Sequence, residues 1–171
     1  ITGDLHNDAM LTCTGSATDT DGSVPTLTYA WSNITAGTSL GTAQDQALDA
    51  TLALPADEIS CTITATDPDG AFVTSSASVV LENRAVAVDS VTVTGSTAYN
   101  DALLACTADA TDPDAEALTT TYLWTHGGTG APLGTDATLQ LDATIALPGD
   151  SIACDATVTD AAGASASDTG S

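Results

Sequence analysis

Apolar residues alternate with Thr, Ser and Asp along most of this chain, the period-two pattern of half-buried β-strands. Ala9, Leu11, Cys13 and Ala17 fall on one face of a first strand, and Leu27, Tyr29 and Trp31 on one face of the next. Ile59, Cys61, Ile63 and Ala65 do the same further on. The alternation returns in Leu104, Cys106 and Ala108, then in Tyr122 and Trp124, and finally in Ile152, Cys154, Ala156 and Val158. Between these runs stands the cassette Leu48-Asp49-Ala50-Thr51-Leu52-Ala53-Leu54-Pro55, repeated as Leu141-Asp142-Ala143-Thr144-Ile145-Ala146-Leu147-Pro148. It reads as a strand ending in a turn at Pro55 and Asp57, and at Pro148 and Asp150. Threonine suits the exposed positions because β-branched side chains pack well on a pleated face. Regular short strands separated by turn residues predict an all-β sandwich.

The pattern occurs twice. Cys13, Trp31 and Cys61 return as Cys106, Trp124 and Cys154, each 93 residues later. On that offset, residues 7–78 match residues 100–171 at 34 of 72 positions without a gap. A period this long is the length of a small domain, not of a solenoid unit. The sequence therefore divides into module one at 1–83, a linker at 84–90 and module two at 91–171. The chain is 15 residues short of two full periods, and the missing part corresponds to residues 79–93. Module two is thus expected to lack its last strand, the counterpart of Val79-Val80-Leu81. Either the segment is a window on a longer repeat protein, already mature or excised at Ile1, or a neighbour supplies the strand by β-augmentation.

Charge narrows the function classes. Of 171 residues 23 are acidic, none is Lys and only Arg84 is basic, for a formal charge of −22. Such a surface opposes nucleic acid and anionic membranes, whose binding needs Lys and Arg. It also repels itself, so bound cations favour the folded state. An acidic disordered tail is excluded by the apolar fraction of 43% and its strand-like alternation. Aromatics are scarce at 4%, and a small core gains from a covalent staple. The four cysteines can supply one. There is no CxxC pair, so one disulfide per module, Cys13–Cys61 and Cys106–Cys154, is the economical reading, with buried free thiols as the alternative. Disulfides imply an oxidising compartment and hence an exported protein at the cell surface or beyond.

Cys on an early strand, Trp on the third and Cys on a late strand resemble the immunoglobulin-like fold, in which the Trp packs on an inter-sheet disulfide. Ile59 and Ile152 stand where a tyrosine corner would place Tyr, so the vertebrate set is not the nearest likeness. Asp19-Thr20-Asp21-Gly22, Thr28-Tyr29-Ala30-Trp31 and Asp67-Pro68-Asp69-Gly70 resemble the tandem immunoglobulin-like, PKD-like and cadherin-like modules of large bacterial surface proteins. The resemblance implies two tandem immunoglobulin-like β-sandwiches, each with one intradomain disulfide beneath Trp31 or Trp124. It also implies a location and an architecture rather than one activity: a stalk, adhesin extender or filament subunit whose partners are neighbouring modules of the same protein, end to end. A carbohydrate- or protein-binding accessory module is the alternative.

In such a sandwich the loops after the two Cys strands meet at one pole. They carry Asp19, Asp21, Asp67 and Asp69 in module one, and Asp112, Asp114, Glu116 and Asp160 in module two. Hard oxygen ligands converging at one pole suit Ca²⁺. The candidate ligands are Asp112, Asp114 and Asp160, joined by Glu82 and Asp89 of the linker, with the module-one set weaker. The same Asp-Pro-Asp-Gly residues are also ordinary turn formers. Catalysis finds no support: His6 and His126 do not recur in the other copy, and GxSxG, HExxH and phosphate-loop motifs are missing from the sequence. Trp31 and Trp124 belong to the core rather than to a sugar platform. Asn33-Ile34-Thr35 is a glycosylation sequon without a counterpart in module two.

Overall fold

The computed structural model describes residues 1–95 and 99–171. The chain forms two compact units, Ile1–Arg84 and Ala85–Ser171, each an immunoglobulin-like β-sandwich. In the first, β1 (Met10–Thr12) pairs with β4 (Asp45–Ala47). Facing them is a four-stranded sheet, in the order β3 (Thr38–Gly41), β2 (Thr26–Asn33), β5 (Glu58–Thr66) and β6 (Phe72–Val80). In the second, β7 (Ala87–Thr94), β8 (Leu103–Thr111) and β11 (Thr138–Gln140) make one sheet. β10 (Pro132–Gly134), β9 (Thr119–His126), β12 (Ile152–Thr159) and β13 (Ser165–Gly170) make the other. All the ladders are antiparallel.

Each core is built where the alternation pointed. Cys13–Cys61 and Cys106–Cys154 are both formed and cross-link the two sheets of their own domain. Trp31 lies opposite Cys61, and Trp124 opposite Cys154, in the strand register. Both indoles are buried, and each places its N–H 2.9 Å from a backbone carbonyl, Ala43 or Asp136, so no buried donor is left unpaired. Leu11, Leu48, Ile59 and Leu81 complete the first core, and Leu104, Leu139 and Leu141 the second.

Three sequence expectations change. The cassettes are turns, not strands, because Asp49 and Asp142 capture local N–H groups. Thr51 N–H lies 2.8 Å from Asp49 Oδ1, and Thr144 N–H 2.7 Å from Asp142 Oδ1. Such side-chain bonds compete with the ladder; Ala53 and Ala146 still bury against the cores. The linker at 84–90 shrinks, since β7 begins at Ala87 and Val86 is buried. Finally, the last strand of the second domain is present. β13 pairs with β12 from Ser165 to Gly170, as β6 pairs with β5 in the first domain. Its Ser-Ala-Ser-Asp-Thr-Gly composition offers no apolar stripe by which to recognise it.

Asn33 of the sequon is 1% exposed. Its amide donates to Asp57 Oδ2 (2.7 Å) and Leu52 C=O (3.2 Å), and its Oδ1 accepts from Ala36 N–H. A glycan on this nitrogen is incompatible with the folded domain. His126 takes the same post in the second domain, with Nε2 3.1 Å from Asp150 Oδ2. Together with the Leu147 N–H, the larger influence, His126 holds the Asp150 carboxyl below its ordinary range.

Closing a loop of 48 residues restricts the unfolded chain by roughly 4 kcal/mol. The double substitution Cys13→Ser/Cys61→Ser is expected to lower domain-one stability by about that amount while leaving the domain-two transition in place. Urea unfolding followed by residue-resolved NMR separates the two.

Candidate metal centre

The acidic pole of the second domain follows from its cross-linked strands. β8 carries Cys106 and ends at Thr111, delivering Asp112; β12 carries Cys154 and ends at Thr159, delivering Asp160. The disulfide holds the two strands in facing sheets, so the loops they feed share one end of the sandwich. The 112–118 loop folds back at once. Asp114 N–H lies 2.7 Å from Asp112 Oδ1, and Ala115 N–H bonds the Asp112 carbonyl. Ala115 sits at φ 58°, a left-handed conformation that disfavours a Cβ. The 160–164 loop is pinned by Asp160, whose Oδ1 accepts Ala164 N–H at 2.8 Å.

Asp112, Asp114 and Glu116 each present a carboxylate oxygen, all within 4.8 Å of one another. Asp114 and Asp160 are 1% and 4% exposed. Asp112 Oδ2 and Glu116 Oε2 are buried without a hydrogen-bond partner. Glu116 titrates above its ordinary value: desolvation is the largest cause, followed by the charges of Asp160, Asp112 and Asp114, against one stabilising bond from Ala162 N–H. Carboxylate oxygens held this close, two of them buried without a hydrogen-bond partner, fit a hard divalent cation such as Ca²⁺.

The first domain resolves the same loop differently. Glu116 is replaced by Ser23, whose hydroxyl makes a short hydrogen bond to Asp19 Oδ2. That bond, with Asp21 N–H on Asp19 Oδ1 at 3.1 Å, holds the Asp19 carboxyl below its ordinary value. Asp67 accepts Ala71 N–H at 2.9 Å as a turn residue. Gly22 occupies the left-handed position taken by Ala115. Among the described residues, Asp19, Asp21, Asp67 and Asp69 form no cluster of converging ligand atoms.

Of the sequence candidates, the structure brings Asp112 and Asp114 together and sets Asp160 close enough to raise Glu116. Glu82 belongs to the first unit, where its N–H bonds Leu5 C=O; Asp89 lies at the β7 bulge. Neither is in the converging group. Glu116, left out of the predicted ligand set, is central. The signal was available: it is a carboxylate where the other copy has a hydroxyl donor.

Raising a carboxyl pKa in the folded state gives a stability that is complete below the unfolded value, 4.5, and lost as pH rises through the folded value. Metal-free domain two is therefore expected to weaken as pH climbs above about 4.5. Glu116→Gln should flatten that slope in chelator-treated protein, measured as the urea midpoint against pH. Asp142 and Asp150, both lowered, act on the opposite, acid side of 3.8. Ala115→Gly should stabilise the same domain by about 1 kcal/mol by relieving the left-handed Cβ, checked by thermal melting in chelator.

No protein-family model matches this chain, and no curated protein matches its sequence. Among solved structures it is similar to the three N-terminal domains of the bacteriophage RB49 Highly Immunogenic Outer Capsid protein (Hoc). The identity is 15% and the TM-score 0.33, over 94% of this chain and 65% of that one. A likeness at this level carries no argument about function.

Proposed function

We propose that this chain is a structural extracellular protein, a pair of immunoglobulin-like modules used in series as a stalk, adhesin extender or filament subunit. The observation that carries this reading is the repetition of a whole sandwich with the period kept to the residue over residues 7–78 and 100–171. Surface loops tolerate insertions freely, yet this alignment contains none. Only residues 81–86 separate the last strand of one copy from the first strand of the next.

Three features support the reading. Each core is closed by a disulfide inside its own domain, which suits an oxidising exterior. The charge of −22 disfavours nucleic acid and anionic lipid. Among the described residues, no helix is long and apolar enough to cross a membrane. The cation fits the same role: Ca²⁺ on Asp112, Asp114 and Glu116, with Asp160 beside them, would relieve the repulsion at the pole of domain two and stiffen it.

Small-angle scattering in calcium tests the serial arrangement. A compact particle of this length has a radius of gyration of roughly 16 Å; two modules in series should lie well above it. A value near the compact one, together with saturable binding on a saccharide array, would overturn the structural reading in favour of a binding accessory.

A further inference from the structure

The charge of this chain is unevenly spread. Of its 23 acidic residues, none falls in residues 22–44, 59–66 or 70–81. Those ranges supply nearly all of the four-stranded sheet of domain one. β2, β3 and β6 carry no charged residue, and β5 carries only Glu58, at its first position. The Ser78 hydroxyl donates to Glu58 Oε1 at 2.6 Å, at that same end of the sheet. Trp31, Ile59, Cys61 and Ala65 are buried on the core side, so strand alternation turns their neighbours outward. The outward face is a carpet of small hydroxyls. Thr28, Thr64 and Thr74 form one row across β2, β5 and β6, and Ala30, Thr62 and Ser76 form the next. Phe72, 67% exposed, stands beside Thr66 in the row on the other side. Domain two keeps the frame but not the neutrality. Asp155 takes the place of Thr62, opposite Leu123 in mid-sheet, and Asp168 of β13 takes the place of Ser75.

We infer that this outer sheet face of domain one is an interaction surface for a second copy of the chain, the two faces packing about a two-fold axis. Charge decides the partner. At −22 the chain repels anionic surfaces. A cationic partner is drawn instead to the acidic loops at the ends of the strands, where Asp19, Asp21, Asp67 and Asp69 stand. A second copy carries the same repulsion over its poles, and the neutral face is where it can approach without bringing carboxylates together. The chemistry of the face is self-complementary. Each hydroxyl both donates and accepts, so like can meet like with every group paired; Thr62 Oγ1 and Ser76 Oγ already do so within the sheet at 2.8 Å. Short side chains let the two sheets come close, and Phe72 adds apolar area at one corner. An isologous contact of this kind closes as a dimer. The three rows cover about 10 Å across the strands and about 14 Å along them, so a single pair of faces makes a weak, transient contact. The inference stands whether or not the acidic pole holds calcium or the modules act in series.

The test is an NMR dilution series of the whole chain, from millimolar to micromolar, in low and in half-molar NaCl. The expected result is concentration-dependent shifts on β2, β5 and β6 of domain one, with domain two unchanged. Association should tighten about tenfold as salt screens the repulsion between the two copies. Thr62→Asp installs the residue that domain two carries at the same place in the same fold, and should abolish the shifts. Thr74→Asp, at an exposed position of β6, should do the same and serves where the first variant is unfolded. The inference is overturned by spectra that stay constant up to millimolar chain, by association that survives both substitutions, or by association that salt weakens. Saturable shifts on this face from dextran, a neutral polysaccharide, without self-association would assign it to carbohydrate and overturn the inference equally.

Discussion

In each domain one covalent cross-link and one indole hold two sheets together, and the rest of the fold is arranged around that contact. Cys13–Cys61 and Cys106–Cys154 tie the early strand of one sheet to the late strand of the other. Trp31 and Trp124 lie across the strand register from the second cysteine of each pair. With aromatics at 4% and strands rich in Thr, Ser and Ala, little else in either core has volume. A small domain with so little to bury depends on restricting its unfolded state. The same cross-link fixes where the strands end, and so which loops share a pole.

That dependence explains what the sequence made legible. Large apolar residues on alternate positions marked β2, β5, β9 and β12, and the paired cysteines marked the contact between sheets. What escaped was structure carried by small or polar residues. β13 has no apolar stripe, and the Asp49 and Asp142 cassettes have one but use it from a turn, because a carboxylate offers local N–H groups a better partner than a neighbouring strand. At the acidic pole, Asp112, Asp114 and Asp160 were visible as turn carboxylates. The weight of Glu116 became plain only when its place was seen to be that of Ser23.

The two copies have kept one frame and diverged in what their edges require. In domain one the pole is satisfied internally, by a hydroxyl on Asp19 and a glycine at the left-handed position. In domain two the hydroxyl becomes a carboxylate and the glycine an alanine, so the same loop carries buried acceptors without donors and a strained backbone. Strain and repulsion of this kind persist where something else compensates them. The divalent cation we propose would do so by supplying the charge that a chain with a single basic residue does not.

Isothermal titration calorimetry of the chelator-stripped chain with CaCl₂ tests this account most directly. It predicts one site per chain, lost in Glu116→Ser, which restores the hydroxyl of domain one, and untouched by Ser23→Ala. No heat of binding at millimolar calcium, or a site that survives Glu116→Ser, would contradict it and leave the acidic loops as turns alone.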